Sequence, residues 1–396
     1  MAERFFLISS LRQRFNREWT PAAYQRFLAL IAERSGVATQ FRHSETPCFL
    51  PAALVEKMAR YGRGMVEQLL ASEEYQSASR AAIPEQYNVP NEDPVPLFVQ
   101  ADFGLDAQLE PKLVEIQGFP SLYAYQPVMA SCYRDAYRID AALGALPNGL
   151  SIDEYHSLLR RAIVGEHDPA NVILLEIDPE RQKTRCDFLM TERLFGVRAV
   201  DVREVRQEGG RLWYQRDGRL TPIHRIYNRA IVDELERRAI ALPFDFRDDL
   251  RVEWAGHPNW FFRLSKFSLP YLRHPAAPAS QFLDQVERIE NPERYVLKPL
   301  YSFAGLGVIV GPTSEQIASV PAERRSQYLL QERVDFTPVV ETPAGATKIE
   351  VRIMYIWLDE MRAVNTIVRM GRGAQLGVDH NKGFEWVGAS AGFIAS

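Results

Sequence analysis

Lys298 lies inside the apolar run "YVLKPLY", directly before the small loop "SFAGLG" that runs from Ser302 to Gly307. A lone ammonium among apolar neighbours is costly unless an anion meets it. Gly305 and Gly307 let backbone amides approach a phosphate closely. Together they point to nucleotide phosphates; the plainer reading is a hairpin with glycines in its turn and a snorkelling lysine. No Gly-Lys-Ser/Thr follows, so the loop is not a Walker A motif, and it is not a dinucleotide fingerprint either.

A second group sits in "FVQADFGLDAQLEPKLVEIQGFP". Alternation along a strand puts Glu115 and Gln117 on one face, with Val114 and Ile116 on the other. If the two runs pair, Asp102 lies beside them. Two carboxylates and an amide oxygen form a hard-oxygen set suited to Mg²⁺, with Mn²⁺ as an alternative. An ordinary wet hairpin face is the competing reading. In "YLLQERVDFTP" a strand ends at Gln331-Glu332, exposing backbone groups that could pair with an adenine edge. In "TKIEVRIMYIW", Lys348, Glu350 and Arg352 share one strand face. Arg352 could clamp a phosphoryl group or a carboxylate, or merely join surface ion pairs. Lys266, in "FRLSKFSLPYLR", sits on a short amphipathic helix candidate, where a lysine is normally solvated. Asp379 and His380, in "GVDHNKGFEW", read most simply as polar loop residues.

These residues need elements to hold them. The first ~90 residues read as helices. Thr20 is a candidate N-cap, Pro21 a first-turn proline and Gly36 a stop. "AAIPEQYNVPNEDPVP" is a linker, and "PLFVQADFGLD" with "PKLVEIQGFPS" forms a hairpin candidate. "ANVILLEID" reads as a buried parallel strand, "TRCDFLMTERLFG" as a helix, and "GGRLWYQRDGRLTP" as a hairpin turning at Asp217-Gly218. This alternation predicts a small α/β lobe over 151–258, after an N-terminal helical region over 1–96 and a strand-bearing segment over 97–150. From 259 to 396 the pattern is of strands with short helices and turns between them. The expected class is α/β, tending to α+β.

The 396 residues are 46% hydrophobic and 25% charged, with a net charge of −4. That is a globular composition with no basic field for nucleic acid. No apolar run approaches the ~20 residues needed to span a bilayer, so no membrane partner is expected. Cys48, Cys132 and Cys186 are odd in number and form no CxxC pattern. With an N-terminus broken early by charges, this favours a cytoplasmic setting.

Taken together, "YVLKPLYSFAGLGV", "YLLQERV" and "LVEIQGFPS" resemble the ATP-grasp superfamily. The Glu115-x-Gln117 strand precedes the lysine strands, an order similar to the circularly permuted branch represented by glutathionylspermidine synthetase. The resemblance implies an ATP-grasp fold with a small pre-ATP-grasp lobe. It matches Lys266 and Lys298 to the family's ATP-binding lysines, and Gln331, Glu332, Arg333 and Val334 to its adenine hinge. It places Ser302, Ala304, Gly305 and Gly307 in the phosphate loop. Asp102, Glu115 and Gln117 become the metal set. The implied activity is ATP- and Mg²⁺-dependent ligation of a small-molecule or peptide carboxylate to an amine through an acyl phosphate. Lys298 and Arg352 would be catalytic, with Arg229 and Asn381 on the substrate side. This chain departs from the family pattern at Gln117, where Asn is usual, at Gln100, where Arg is usual, and in its loop sequence. A phosphotransferase, or a nucleotide-binding module without turnover, would use the same ATP site.

Overall fold

The computed structural model describes residues 7–302, 305–376, 381 and 383–395. Two helices open the chain, α1 (Ser9–Glu18) and α2 (Pro21–Ser35). Thr20 starts α2 by accepting from the Ala23 amide at 3.2 Å, and Gly36 ends it at φ 79°. Next come β1 (Cys48–Pro51), α3 (Ala52–Ala71) and α4 (Glu73–Ala81). Helix α3 buries Val55, Met58, Met65, Val66 and Leu69 at helical spacing, so it joins the main core rather than standing apart.

The hairpin follows as β2 (Phe98–Leu105) and β3 (Pro111–Gln117), then α5 (Gln126–Tyr137) and α6 (Ile152–Ile163). The α/β stretch comprises β4 (Val172–Glu176), α7 (Arg185–Phe195), β5 (Arg198–Asp201), β6 (Arg206–Glu208), β7 (Arg211–Arg216), β8 (Arg219–Ile223), β9 (Arg225–Asn228), α8 (Val232–Arg237) and β10 (Glu253–Ala255). Strands β10, β9, β4 and β5 form an all-parallel sheet in that order. The apolar run Val172–Leu175 is fully buried, as a parallel strand covered on both faces requires. Strands β6 to β8 make a separate meander, and Asp217 and Gly218 take the positive φ of a two-residue turn.

The remainder holds α9 (Asn259–Arg263), β11 (Ser280–Phe282), β12 (Tyr295–Pro299), β13 (Ile309–Val310), α10 (Ser314–Ala318), β14 (Tyr328–Glu332), β15 (Lys348–Trp357), β16 (Met361–Gly371), β17 (Gly388–Ser390) and β18 (Gly392–Ala395). Two antiparallel sheets arise. The larger runs β17-β16-β15-β2-β3 and the smaller β11-β14-β12-β13. Strand β2 thus pairs with β15, some 250 positions later in the chain, and β3 pairs with β2 at the sheet edge. The small-residue tail also has a place. Strand β17 extends the large sheet and β18 pairs in parallel with β1. At Gly388, φ is 121° and a Cβ would lie 2.5 Å from the Arg42 carbonyl oxygen, so only glycine fits.

Two local expectations change. The run 259–271 is not one amphipathic helix. It breaks at Leu264 and Ser265, and a 3₁₀ turn over Lys266–Tyr271 follows, capped by the Ser265 hydroxyl on the Phe267 amide. Pro270 has no N–H to continue an α-helix. Strand β3 does not alternate cleanly either. Asp102 faces Glu115 while Phe103 faces Leu113, so Val114 is the extra residue of a bulge. Leu113 and Ile116 enter the core instead of Val114 and Ile116.

Asp187, at the start of α7, fixes the turn that leaves β3. Its carboxylate accepts from the Leu122, Ala124 and Tyr125 amides at 3.1, 2.8 and 2.9 Å. Asp187→Asn turns one acceptor into a donor facing the Leu122 amide. Urea unfolding should show a loss of about 2 kcal/mol; a loss below about 0.5 kcal/mol would contradict this role. Among the described residues, no helix is long and apolar enough to cross a membrane.

Candidate functional site

Strand register assembles the first half of the site. Glu115, Asp102 and Arg352 stand opposite one another on β3, β2 and β15. Gln117 stands opposite Gln100, and Glu350 opposite Arg369 of β16. The result is one polar patch on the face of the large sheet. Arg352 grips both Asp102 oxygens, at 2.5 and 2.6 Å, and reaches Gln100 Oε1 at 2.7 Å. Arg369 bonds Asp102 at 3.0 Å and also pairs with Glu350. The Gln117 amide lies between Gln100 and Arg352. In one orientation its nitrogen donates to Gln100 Oε1 at 3.0 Å; in the other its oxygen sits 2.7 Å from Arg352 Nη2.

The second half comes from the small sheet and the 3₁₀ turn. Lys298 sits on β12, and its Nζ donates to the Val114 carbonyl of the bulge at 2.8 Å. It also donates to Gln331 Oε1 at 2.6 Å, from the neighbouring strand β14. Lys266 donates to the Ser302 carbonyl at 2.6 Å and lies 3.7 Å from Glu115. Gly118 brings these pieces together. Its amide donates to the Leu264 carbonyl at 2.7 Å, and a Cβ there would lie 2.9 Å from the Trp260 carbonyl oxygen. Lys266 is therefore no solvated helix lysine: it is 8% exposed, and Lys298 is 5% exposed.

The seam holds four cationic groups, Lys266, Lys298, Arg352 and Arg369, against the carboxylates Asp102, Glu115 and Glu350. Burial pulls the Lys298 ammonium down to about 8, with Glu115 only partly opposing it. Burial also raises Glu350, while Arg369 pulls it back. Burial pushes Asp102 upward too, but Arg352 and Arg369 outweigh it and hold the carboxyl below its usual range. The balance is an excess of positive charge. Among the described residues, the Gln331 Nε2 donor, buried beside Lys298, also has no hydrogen-bond partner. Such a seam fits an anion with several oxygens, and phosphates have that character.

It does not fit a protein-held metal ion. The expected Asp102, Glu115 and Gln117 do come together, but both Asp102 oxygens are occupied by guanidinium groups. Glu115 is the open carboxylate, with Lys266 and Arg352 no nearer than 3.7 and 3.8 Å. Among the described residues, no cluster of three His, Cys, Asp or Glu side chains could hold a metal. The expected adenine edge is also altered. Strand β14 is central in its sheet, and the Glu332 and Arg333 amides already donate to Ala279 and Arg294 carbonyls at 2.7 Å. Irregular backbone begins at Arg333, whose amide is still bonded, so Val334 is the first residue of the expected hinge beyond those two bonded amides. In the loop, Gly305 and Gly307 both take left-handed backbone, at φ 75° and 73°. Ala304, Asp379 and His380 lie outside the described residues.

Arg229 and Asn381 have other neighbours. Arg229 stacks near the Phe119 and Phe188 rings, 5.1 and 5.7 Å from their centres. The Asn381 amide ties its own loop, accepting from the Arg372 and Gly373 amides and donating to the Gln375 carbonyl. A groove of about 480 Å³ opens elsewhere, lined by Val89, Pro94, Trp254 and Trp357 among others. Its Arg225 is committed to Glu253 and to the Ala162 and Ile163 carbonyls.

Two participants escape the sequence reading. Arg369 carried the same signal that singled out Lys298, a charge inside the apolar strand "AVNTIVRMG". Gln100 reads as a missing cation, yet it serves as an acceptor for Arg352 and a donor to the Ser121 carbonyl.

No protein-family model and no curated protein matches the sequence. Among solved structures, the chain is similar to a glutathione synthetase-like effector from Globodera pallida, solved in its apo form. The TM-score is 0.57 at 10% identity, over 98% of this chain and 97% of that one. The likeness runs through the whole molecule, and the chain has a glutathione synthetase-like fold.

Proposed function

We propose that this protein is an ATP-grasp enzyme with the permuted strand order, an ATP-dependent ligase joining a carboxylate to an amine. The observation that carries the reading is the convergence of two buried lysines, Lys266 and Lys298, on a seam with surplus positive charge. Their ammonium groups would neutralise the β- and γ-phosphate oxygens. A substrate carboxylate oxygen attacks the γ-phosphorus, the bond to the bridging oxygen breaks, and ADP leaves with that electron pair. The amine then attacks the acyl carbon, phosphate departs, and the amine proton passes to it or to water. Arg352 spends three of its five N–H donors on Asp102 and Gln100. Its remaining donors face Gln117 and Glu115, where they would stabilise charge on the transferring group. No step is routed through Mg²⁺ or Mn²⁺, because Asp102 is occupied. The seam is closed as it stands, so nucleotide entry requires the small sheet to part from β3, breaking the Lys298–Val114 contact.

A second reading, nucleotide binding without turnover, is favoured by the same locking of Asp102. One assay separates them. Magnesium ATP is added to the folded protein, and ADP and phosphate are followed over a panel of acids and amines. A ligand specific for the folded state adds about 2.7 kcal/mol at a hundred times its dissociation constant. The ligase predicts a rise in melting temperature together with ADP release that requires both substrates. A rise with no turnover selects the binding module, and a phosphorylated acid as end product selects a phosphotransferase. No thermal response at millimolar ATP contradicts all three.

A further inference from the structure

Arg369 stands on β16 opposite Glu350 and has no task in the proposed reaction. It commits a single nitrogen to the seam: Nη1 donates to Asp102 Oδ2 at 3.0 Å and to Glu350. Among the described residues, its Nε and Nη2 donate to no protein group. Its side chain is 22% exposed, against 7% for Arg352, so a ligand entering from solvent can meet it. A guanidinium with an open edge is a fixed cation with donors in one plane, suited to phosphate oxygens.

The oxygens that a divalent ion would use are already engaged by cations. Asp102 Oδ1 accepts from Arg352 Nε, and Oδ2 accepts from Arg352 Nη2 and Arg369 Nη1. Glu350 is paired with Arg369. Gln117 turns either its nitrogen to Gln100 or its oxygen to Arg352. Glu115 is left as a single open carboxylate, and an ion there would stand beside Lys266 and Arg352, whose charges repel it. Chelation of ATP by Mg²⁺ would also cancel part of the negative charge that the surplus cations of the seam attract.

We propose that Arg369 takes the part of a divalent cation here: its open Nε and Nη2 edge holds phosphate oxygens directly, so the protein binds metal-free nucleotide and gains no affinity from Mg²⁺. The proposal rests on the reading of the seam as a nucleotide site. Its test is a thermal-shift titration of the full chain with ATP and, separately, with sodium tripolyphosphate. Each is run in excess EDTA and in excess Mg²⁺ against its own ligand-free baseline. Both ligands should raise the melting temperature, at half-effect concentrations no higher in EDTA than in Mg²⁺. Arg369→Met should raise the EDTA value at least ten-fold. That change leaves the buried Glu350 without its cation, so Glu350→Gln is also measured with and without it. Glu350→Gln alone should keep the EDTA response, and the double variant should lose it. A higher half-effect concentration in EDTA than in Mg²⁺ would overturn the proposal and leave the nucleotide reading standing. An EDTA response as strong in the double variant as in Glu350→Gln would also overturn it. A response to tripolyphosphate in EDTA that depends on Arg369, without any response to ATP, would support the arginine site and contradict the nucleotide reading alone. No response to either ligand in either condition would overturn both.

Discussion

Lys298→Met will lower ATP affinity by about ten- to a hundred-fold, the worth of one or two charge-assisted hydrogen bonds. Stability near pH 7 should change by less than about 1 kcal/mol. Two effects offset there: the variant loses bonds to Val114 and Gln331 but is relieved of a buried ammonium. The pH dependence isolates the second effect. The folded-state value is about 8 against an ordinary 10.5, so between those values the unfolded chain binds more protons than the folded one. Stability contributed by this group therefore rises as pH increases through that window, and its cost is fully present below pH 8. The wild type should gain on the order of 3 kcal/mol relative to the variant between pH 7.5 and 10.5. Parallel stability curves for the two proteins would show that Lys298 is an ordinary exposed-type lysine, and unchanged ATP affinity would remove it from the phosphate site.

The largest stability effect belongs to Asp102. Asp102→Asn removes the one carboxylate shared by Arg352 and Arg369, both held in the sheet face. Breaking a buried pair from one side costs about 3–5 kcal/mol, because the remaining charge keeps its desolvation penalty. Two guanidinium groups lose their partner here, though Glu350 still serves Arg369. Glu115→Gln, by contrast, should cost under about 1 kcal/mol. Its nearest cationic nitrogens lie 3.7 and 3.8 Å away and its side chain is a quarter exposed. Urea unfolding of the two variants gives the ranking. Similar losses in both would mean that Asp102 is not the centre of the network.

Much of this arrangement could be read from residue types in strand context. A charge inside an apolar run marked Lys298, and alternation put Asp102, Glu115 and Gln117 within reach of one another. What alternation cannot show is an inserted residue. The bulge at Val114 turns its carbonyl toward Lys298, and no residue type announces it. Lys266 was concealed for a different reason: its burial depends on the docking of Gly118 against residues 260–264, which lie 140 positions away. The pairing of Arg352 and Arg369 on Asp102 likewise depends on register across three strands. Without that register a hard-oxygen set suggests a metal; with it, the same carboxylate is a structural anion between two cations. The edge expected at Gln331 and Glu332 failed because β11 covers the side of β14 opposite β12.

The most direct test is a crystal structure of the protein with a non-hydrolysable ATP analogue. The β- and γ-phosphates should lie within about 3 Å of the Lys266 and Lys298 Nζ atoms, with Lys298 no longer bonded to the Val114 carbonyl and the small sheet displaced from β3. An analogue bound instead in the groove beside Trp254 and Trp357, with the Lys298–Val114 bond of 2.8 Å intact, would contradict the assignment of the seam as the nucleotide site.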